Sequence, residues 1–290
     1  MAKVTMELVK ELREKTQVGM LACKNALIEA DGNIEKAIEL LRKKGAAVAA
    51  KRADNATDNG RIEAMINDEG TTGTLVEISC ETDFSANTDA MKSFTTTVAT
   101  VVMGNESAAD KNVILEQTPK NGKLTISQML EELISKIAEK ITISNIARFE
   151  TKSGIVNAYV HAGSTLGIIT ELEVTEKTDI KKLMELAKDI SMQIAVTNPL
   201  SVDSSQLDET TIAKEKEVFA EQLKTKGKPE NIIAKIVEGK MKKYYEEVCL
   251  LNQKYIKNDK ITIAQHIEEI AKEINTKIEV KQFKRFKIGK

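Results

Sequence analysis

The first forty-five residues carry apolar side chains at helical spacing. Met6, Leu8, Val9 and Leu12 form one stripe behind Thr5, a residue suited to cap a helix. Gly19 interrupts the pattern, and Leu21, Ala26, Leu27 and Ala30 resume it from Met20. Asp31-Gly32-Asn33 is a turn signal. A third helix is expected from Ile34 to Lys44, with Arg42, Lys43 and Lys44 favourably placed in its last turn and Gly45 as its stop. So small a bundle has a thin core and suits docking better than housing chemistry. Residues 46–59 are Ala-rich and then polar, which predicts a linker, helical at its start.

Beyond residue 60 the period shortens from helix to strand. Arg61–Ile66 and Thr74–Cys80 alternate around NDEGTTG, which predicts a β-hairpin. Amphipathic helices are expected from Asp89 to Val102 and over residues 127–140. The plan recurs. Laying Gly60 on Gly154 without gaps places Ala64 on Ala158, Thr71 on Thr165, Gly73 on Gly167 and Glu77 on Glu171. Helices begin at Asp89 and Asp179 after the two copies, so residues 60–200 are expected to be two related α+β subdomains.

Asn198-Pro199 ends the second copy's helix. Residues 208–225 and 230–250 then read as an antiparallel helical hairpin broken at Lys226-Gly227-Lys228-Pro229, with an apolar stripe that needs a partner surface. A last helix is expected from Ile263 to Ile274, capped by Thr262, and the tail from Ile278 alternates like a strand.

Composition narrows the function. Forty-three basic residues balance 44 acidic ones, for a formal charge of −1, which argues against a coat for nucleic acid or anionic membrane. Only 3% of the chain is aromatic. Three cysteines, Cys23, Cys80 and Cys249, stand far apart beside only two histidines. That pattern argues for buried thiols in a reducing, cytoplasmic compartment and against a disulfide framework or zinc site. The charged N-terminus is unlike a secretory signal, and no apolar run is long enough for a membrane span. G-x-x-x-x-G-K-[ST], G-x-G-x-x-G and G-x-S-x-G are all absent, so a binding role is favoured over an enzyme, with no cofactor or metal called for.

One segment carries unusual residues. Cys80-Glu81-Thr82-Asp83-Phe84-Ser85-Ala86-Asn87 joins the first hairpin to the next helix. Phe84 either packs inward, with Asp83 capping the next turn, or projects as an apolar wedge beside an acid that enters a partner's crevice.

LVKELREKT (8–16), GMLACKNAL (19–27), DGNIEKAIELLRKKG (31–45), ETDF (81–84), YVHAGSTLGII (159–169), the lysine-rich block at 228–243 and FKRFKIG (283–289) together resemble the elongation factor Ts family, over nearly the whole chain. That resemblance implies an α+β protein. Its parts would be a ubiquitin-associated-like (UBA-like) three-helix domain (1–45), a linker (46–59) and core subdomains at 60–150 and at 151–200 with 251–276. A helical hairpin (201–250) of the dimerisation type and a C-terminal module (277–290) would complete it. It further implies a guanine-nucleotide exchange factor for elongation factor Tu. Met20, Leu21 and Lys24 would dock, Thr82, Asp83, Phe84 and Ser85 would dislodge the partner's Mg²⁺, and His161 would make a second intrusion. For Met20 and Leu21, core packing stays open; for His161, a plain exposed turn. A homodimer through the hairpin is a further expected partner, and neither membrane nor direct nucleic acid is. The alternative is an RNA- or ribosome-binding protein using the basic tail and Lys240, Lys242 and Lys243.

Overall fold

The computed structural model describes residues 4–16, 18–106, 110–176 and 178–289, apart from the side chains at 46 and 49. The N-terminal unit is α1 (Met6–Thr16), α2 (Met20–Glu29) and α3 (Ile34–Lys51) around Val9, Leu12, Cys23, Leu27 and Leu41. Gly45 is not the expected stop. It lies inside α3, buried, and the first part of the segment read as a linker is the helix's last turns. A Cβ at Gly45 would sit 2.4 Å from the Glu131 carbonyl oxygen, so the missing side chain lets two backbones approach closely.

After α3 come β1 (Asn59–Ile66), β2 (Thr72–Cys80), the one-turn α4 (Asp83–Ala86), α5 (Asp89–Met103), α6 (Lys111–Leu115), α7 (Ile126–Ile137) and β3 (Ile141–Glu150). The predicted hairpin is present, and Thr88 and Thr125 cap α5 and α7 through side-chain oxygens. The second half contains β4 (Gly154–Val160), β5 (Leu166–Val174), α8 (Ile180–Thr197), α9 (Glu209–Thr225), α10 (Glu230–Val248), β6 (Lys254–Tyr255), β7 (Asn258–Thr262), α11 (Ile263–Glu273) and β8 (Ile278–Lys287). The tail expected to be a module of its own is β8, the third strand of the second sheet. None of these helices is long and apolar enough to cross a membrane.

Two three-stranded antiparallel sheets result, β1-β2-β3 and β4-β5-β8, beside a two-stranded ribbon of β6 and β7. They face each other across Ile62, Leu75, Ala147, Phe149, Val156, Ile169 and Phe286. Gly73 and Gly167 make that approach possible: a Cβ at Gly73 would meet Val156 at 2.7 Å, and one at Gly167 would meet Ile62 at 2.5 Å. The outer faces are covered by helices. Val76 and Ile78 pack with Met91, Phe94 and Val98 of α5, while Ile168 and Leu172 pack with Leu183, Leu186 and Ile190 of α8. β2 and β5 are therefore buried on both sides, each fully buried Ile or Leu contributing about 1.5–3 kcal/mol.

The matched positions of the expected repeat occupy matching places in the two ladders. Gly60 pairs with Ser79 and Gly154 with Glu173, at the same interval, and both ladders carry a bulge after the matched acids, Glu77 and Glu171. Each acid is buried and met by an amide from the third strand: Asn145 Nδ2 donates to Glu77 Oε2 (2.9 Å) and Gln282 Nε2 to Glu171 Oε2 (2.6 Å). Each hairpin tip also holds the other copy. Ile62 N–H donates to Ser164 O (2.7 Å), and Val156 N–H donates to Gly70 O (2.8 Å).

Candidate functional site

Between β2 and α5 the chain makes the single turn α4, and its N-cap is Thr82 rather than Asp83. Ser85 N–H donates to Thr82 Oγ1 (3.3 Å), while Asp83 Oδ1 accepts Phe84 N–H (2.9 Å). The consequence is directional. Ser85 and Ala86 turn inward and are buried, Asp83 stands in solvent, and Phe84 is 83% exposed. Of the two arrangements open in the sequence, the outward one is observed. A phenyl ring left in water forgoes about 1.5–3 kcal/mol of burial, and Phe84 is the most exposed of the large hydrophobic side chains among the described residues.

The turn is held from behind. Thr82 Oγ1 donates to Glu139 Oε1 (2.7 Å) and Thr82 N–H to Glu139 Oε2 (3.1 Å), from the connection after α7. Glu81 receives Arg52 Nη1 at 2.9 and 2.8 Å on its two oxygens, Asn55 Nδ2 at 2.9 Å and the Lys140 N–H at 2.6 Å. The Lys140 amide, the Arg52 charge and the Asn55 amide hold the Glu81 carboxyl below its ordinary range. Asn59 Nδ2 donates to the Glu81 carbonyl (2.8 Å). Beneath the turn, the Cys80 thiol donates to Thr82 O (3.1 Å), and burial, with the nearby Glu139 charge, pushes its pKa up to about 11. That thiol is a packed group, not a nucleophile.

His161 stands at the tip of the β4–β5 hairpin, exposed, where Gly163 and Ser164 turn the chain with φ of +86° and +56°. Tyr159 Oη lies 2.7 Å from His161 Nδ1; where the phenol donates, the neutral ring carries its proton on Nε2. The tip and the turn share one end of β1. Ile62 holds Ser164 O, and Asn59, three residues and about 10 Å along the strand, holds Glu81.

On α2, Met20 is half-buried against the bundle core, whereas Leu21 is 72% exposed and Lys24 is exposed. Core packing, one of the two options left open, thus applies to Met20 and not to Leu21. Ile28, which the sequence reading missed, is 55% exposed and follows Leu21 and Lys24 on the same face. The supporting residues Arg52, Asn55, Glu139 and Lys140 were missed as well; no local spacing marks them. In the tail, Phe286 is buried between the sheets and Phe283 packs on the second core, so neither offers a stacking platform for bases.

Among the described residues no group of three His, Cys, Asp or Glu side chains could hold a metal ion. A cavity of about 1030 Å³ at the far end of α5, lined by Thr97, Thr100, Met103 and Gln117, touches neither the turn nor the His161 tip.

Residues 81–290 match the family described as elongation factor TS. The chain is 40% identical over 291 residues to an elongation factor Ts of Lawsonia intracellularis (strain PHE/MN1-00), covering 99% of each chain. It is 38% identical over 286 residues to that of Clostridium novyi (strain NT), and 39% to that of Clostridium perfringens (strain 13 / Type A), covering 99% of this chain and 93% of each relative.

Proposed function

The chain belongs to the elongation factor Ts family of translation elongation factors, and we propose that it accelerates GDP release from elongation factor Tu by driving the Thr82–Ser85 turn toward the magnesium that secures the nucleotide. In this reading Leu21 and Lys24 dock on the GTPase, with Met20 setting the helix beneath them. Phe84 wedges between elements of the partner. Asp83 brings a carboxylate to the water and side-chain shell of the ion. Losing Mg²⁺ removes the charge that bridges phosphate oxygens, and GDP is held less tightly. His161 supplies the second intrusion, its Nε2–H free to engage a carbonyl or phosphate oxygen of the partner.

One observation carries the reading: a phenylalanine left in solvent on a turn whose base, Glu81 and Thr82, is pinned by five side chains or amides from the chain just past α3, from β1 and from the α7–β3 connection. Binding energy alone suffices, and no catalytic acid, base or cofactor is called for. Docking of the factor and retention of GDP oppose each other, and the opposition is reciprocal: a coupling of about 1–3 kcal/mol changes either affinity by roughly 5–150-fold. Action in the cytoplasm fits the three buried free thiols. The α9–α10 hairpin, with Val218 and Ile232 exposed, is the surface for self-association if a homodimer forms.

The test is release of a fluorescent GDP analogue from elongation factor Tu·Mg²⁺. The expected outcome is at least about tenfold faster release with excess protein; an unchanged rate would refute the proposal.

A further inference from the structure

The turn that carries Phe84 and the helix face that carries Leu21 lie on different units, yet one element links them. α3 leaves the N-terminal bundle, crosses α7 and ends at the site. Three contacts seat it on α7: Gly45 against the Glu131 carbonyl, Arg42 Nη2 to Glu132 Oε1 at 2.7 Å, and Ser135 Oγ donating to Leu41 O at 3.0 Å. At its end Arg52 grips Glu81. The connection that leaves α7 through Ala138, at φ +61°, supplies Glu139 to Thr82 and the Lys140 amide to Glu81. Lys140 Nζ turns back to the carbonyl oxygens of Ala53 and Asn55, just past α3. Two consecutive residues of the turn's base, Glu81 and Thr82, are thus gripped from the chain just past α3 and just past α7, the helix on which α3 packs.

We propose that Arg52 and Glu81 are positioning residues: they set the angle of the Phe84 turn relative to the docking helix, so that energy gained at α2 is delivered as displacement at the turn. Without the pair, the N-terminal unit still binds the partner, but the wedge moves on its tether and the push is lost. The kinetic half of this inference rests on the exchange-factor reading; the structural half does not.

Two measurements on the full-length chain keep the two apart. The first is amide hydrogen exchange of the free protein. Arg52→Ala and Glu81→Gln should each speed exchange at the amides of residues 82–87 at least tenfold while β2 and α7 keep their protection, with Arg52→Lys restoring part of it. Unchanged exchange at 82–87 overturns the inference whatever the partner does. The second is the dependence of GDP-analogue release on factor concentration. Arg52→Ala should lower the saturating release rate about tenfold and leave the half-saturating concentration within twofold. A raised half-saturating concentration at an unchanged saturating rate would make the pair part of docking and overturn the inference. If the wild-type chain itself accelerates nothing, the exchange-factor reading fails, and the hydrogen-exchange result alone decides whether Arg52 and Glu81 brace the turn.

Discussion

The two halves of the core share register, bulge, buried acid and interlocked tips, and they differ at the connection from the second strand to the helix. In the second half, four residues join β5 to Asp179, the cap of α8. That connection is tied down by the chain after α11: Thr175 N–H donates to Lys277 O (3.3 Å), Glu176 N–H to Thr276 Oγ1 (3.2 Å) and Thr178 Oγ1 to Ile274 O (3.0 Å). In the first half the connection is three residues longer, makes its own helical turn and presents Phe84 to solvent. The shared parts are the packed ones, where any change meets a neighbour. The difference lies in a surface connection, which can lengthen at small thermodynamic cost. The second half shows the same plan with the shorter link: a strand, four residues, a helix.

The deepest break in this comparison would come from the paired glycines at the strand starts. An alanine Cβ at Gly154 would stand 1.9 Å from Leu172 O and one at Gly60 2.3 Å from Ile78 O, with φ of +142° and +155°. Gly60→Ala and Gly154→Ala should each cost about 2–4 kcal/mol in urea unfolding. A silent substitution at either would show that the halves resemble each other only in outline. Next come the amides that meet the buried acids. Asn145→Leu and Gln282→Leu should each cost about 1–3 kcal/mol, since each leaves a buried carboxylate short of a donor. Equal costs would sharpen the symmetry, and a cost confined to one half would break it.

The smallest effect belongs to the brace, which has no counterpart in the second half. The Glu81 carboxyl is held below its ordinary value of about 4.5, so the ionised form is the one the fold favours. Its contribution is present above that value and is lost as pH falls through the lower, folded one. Wild type should therefore melt above Glu81→Gln at pH 7, and the gap should close on acidification below about 4.5. A gap that persists at acid pH would mean that the variant disturbs packing rather than charge.

Much of this was legible in the sequence because the governing interactions are local. Asn67 to Thr71 form a turn by their own chemistry, Thr125 and Thr262 cap the helices they precede, and Lys226-Gly227-Lys228-Pro229 cannot continue one. β3 has no simple alternation to read: Ile141 and Ile143 pack toward the helices and Ala147 and Phe149 between the sheets, because the register shifts at the bulge between them. Gly45 misled because its reason is tertiary. A glycine reads as a stop until α7 is known to lie against it. At the site, Phe84 could be singled out by its company, but not its direction, which depends on partners far along the chain. Arg52 lies 29 residues from Glu81, Thr82 57 from Glu139, and Glu81 59 from Lys140. Pairs at that range are set by the fold.

The central claim is that an exposed aromatic ring on a braced turn does the displacing. Stopped-flow release of a fluorescent GDP analogue from elongation factor Tu·Mg²⁺, driven by wild type, Phe84→Ala and, as the matched control in the other half, Thr175→Ala, tests it most directly. Phe84→Ala should still bind the partner yet lose about 10- to 30-fold of the saturating release rate, the scale of one aromatic anchor, while Thr175→Ala stays within twofold of wild type. Release by Phe84→Ala at the wild-type rate would contradict the account.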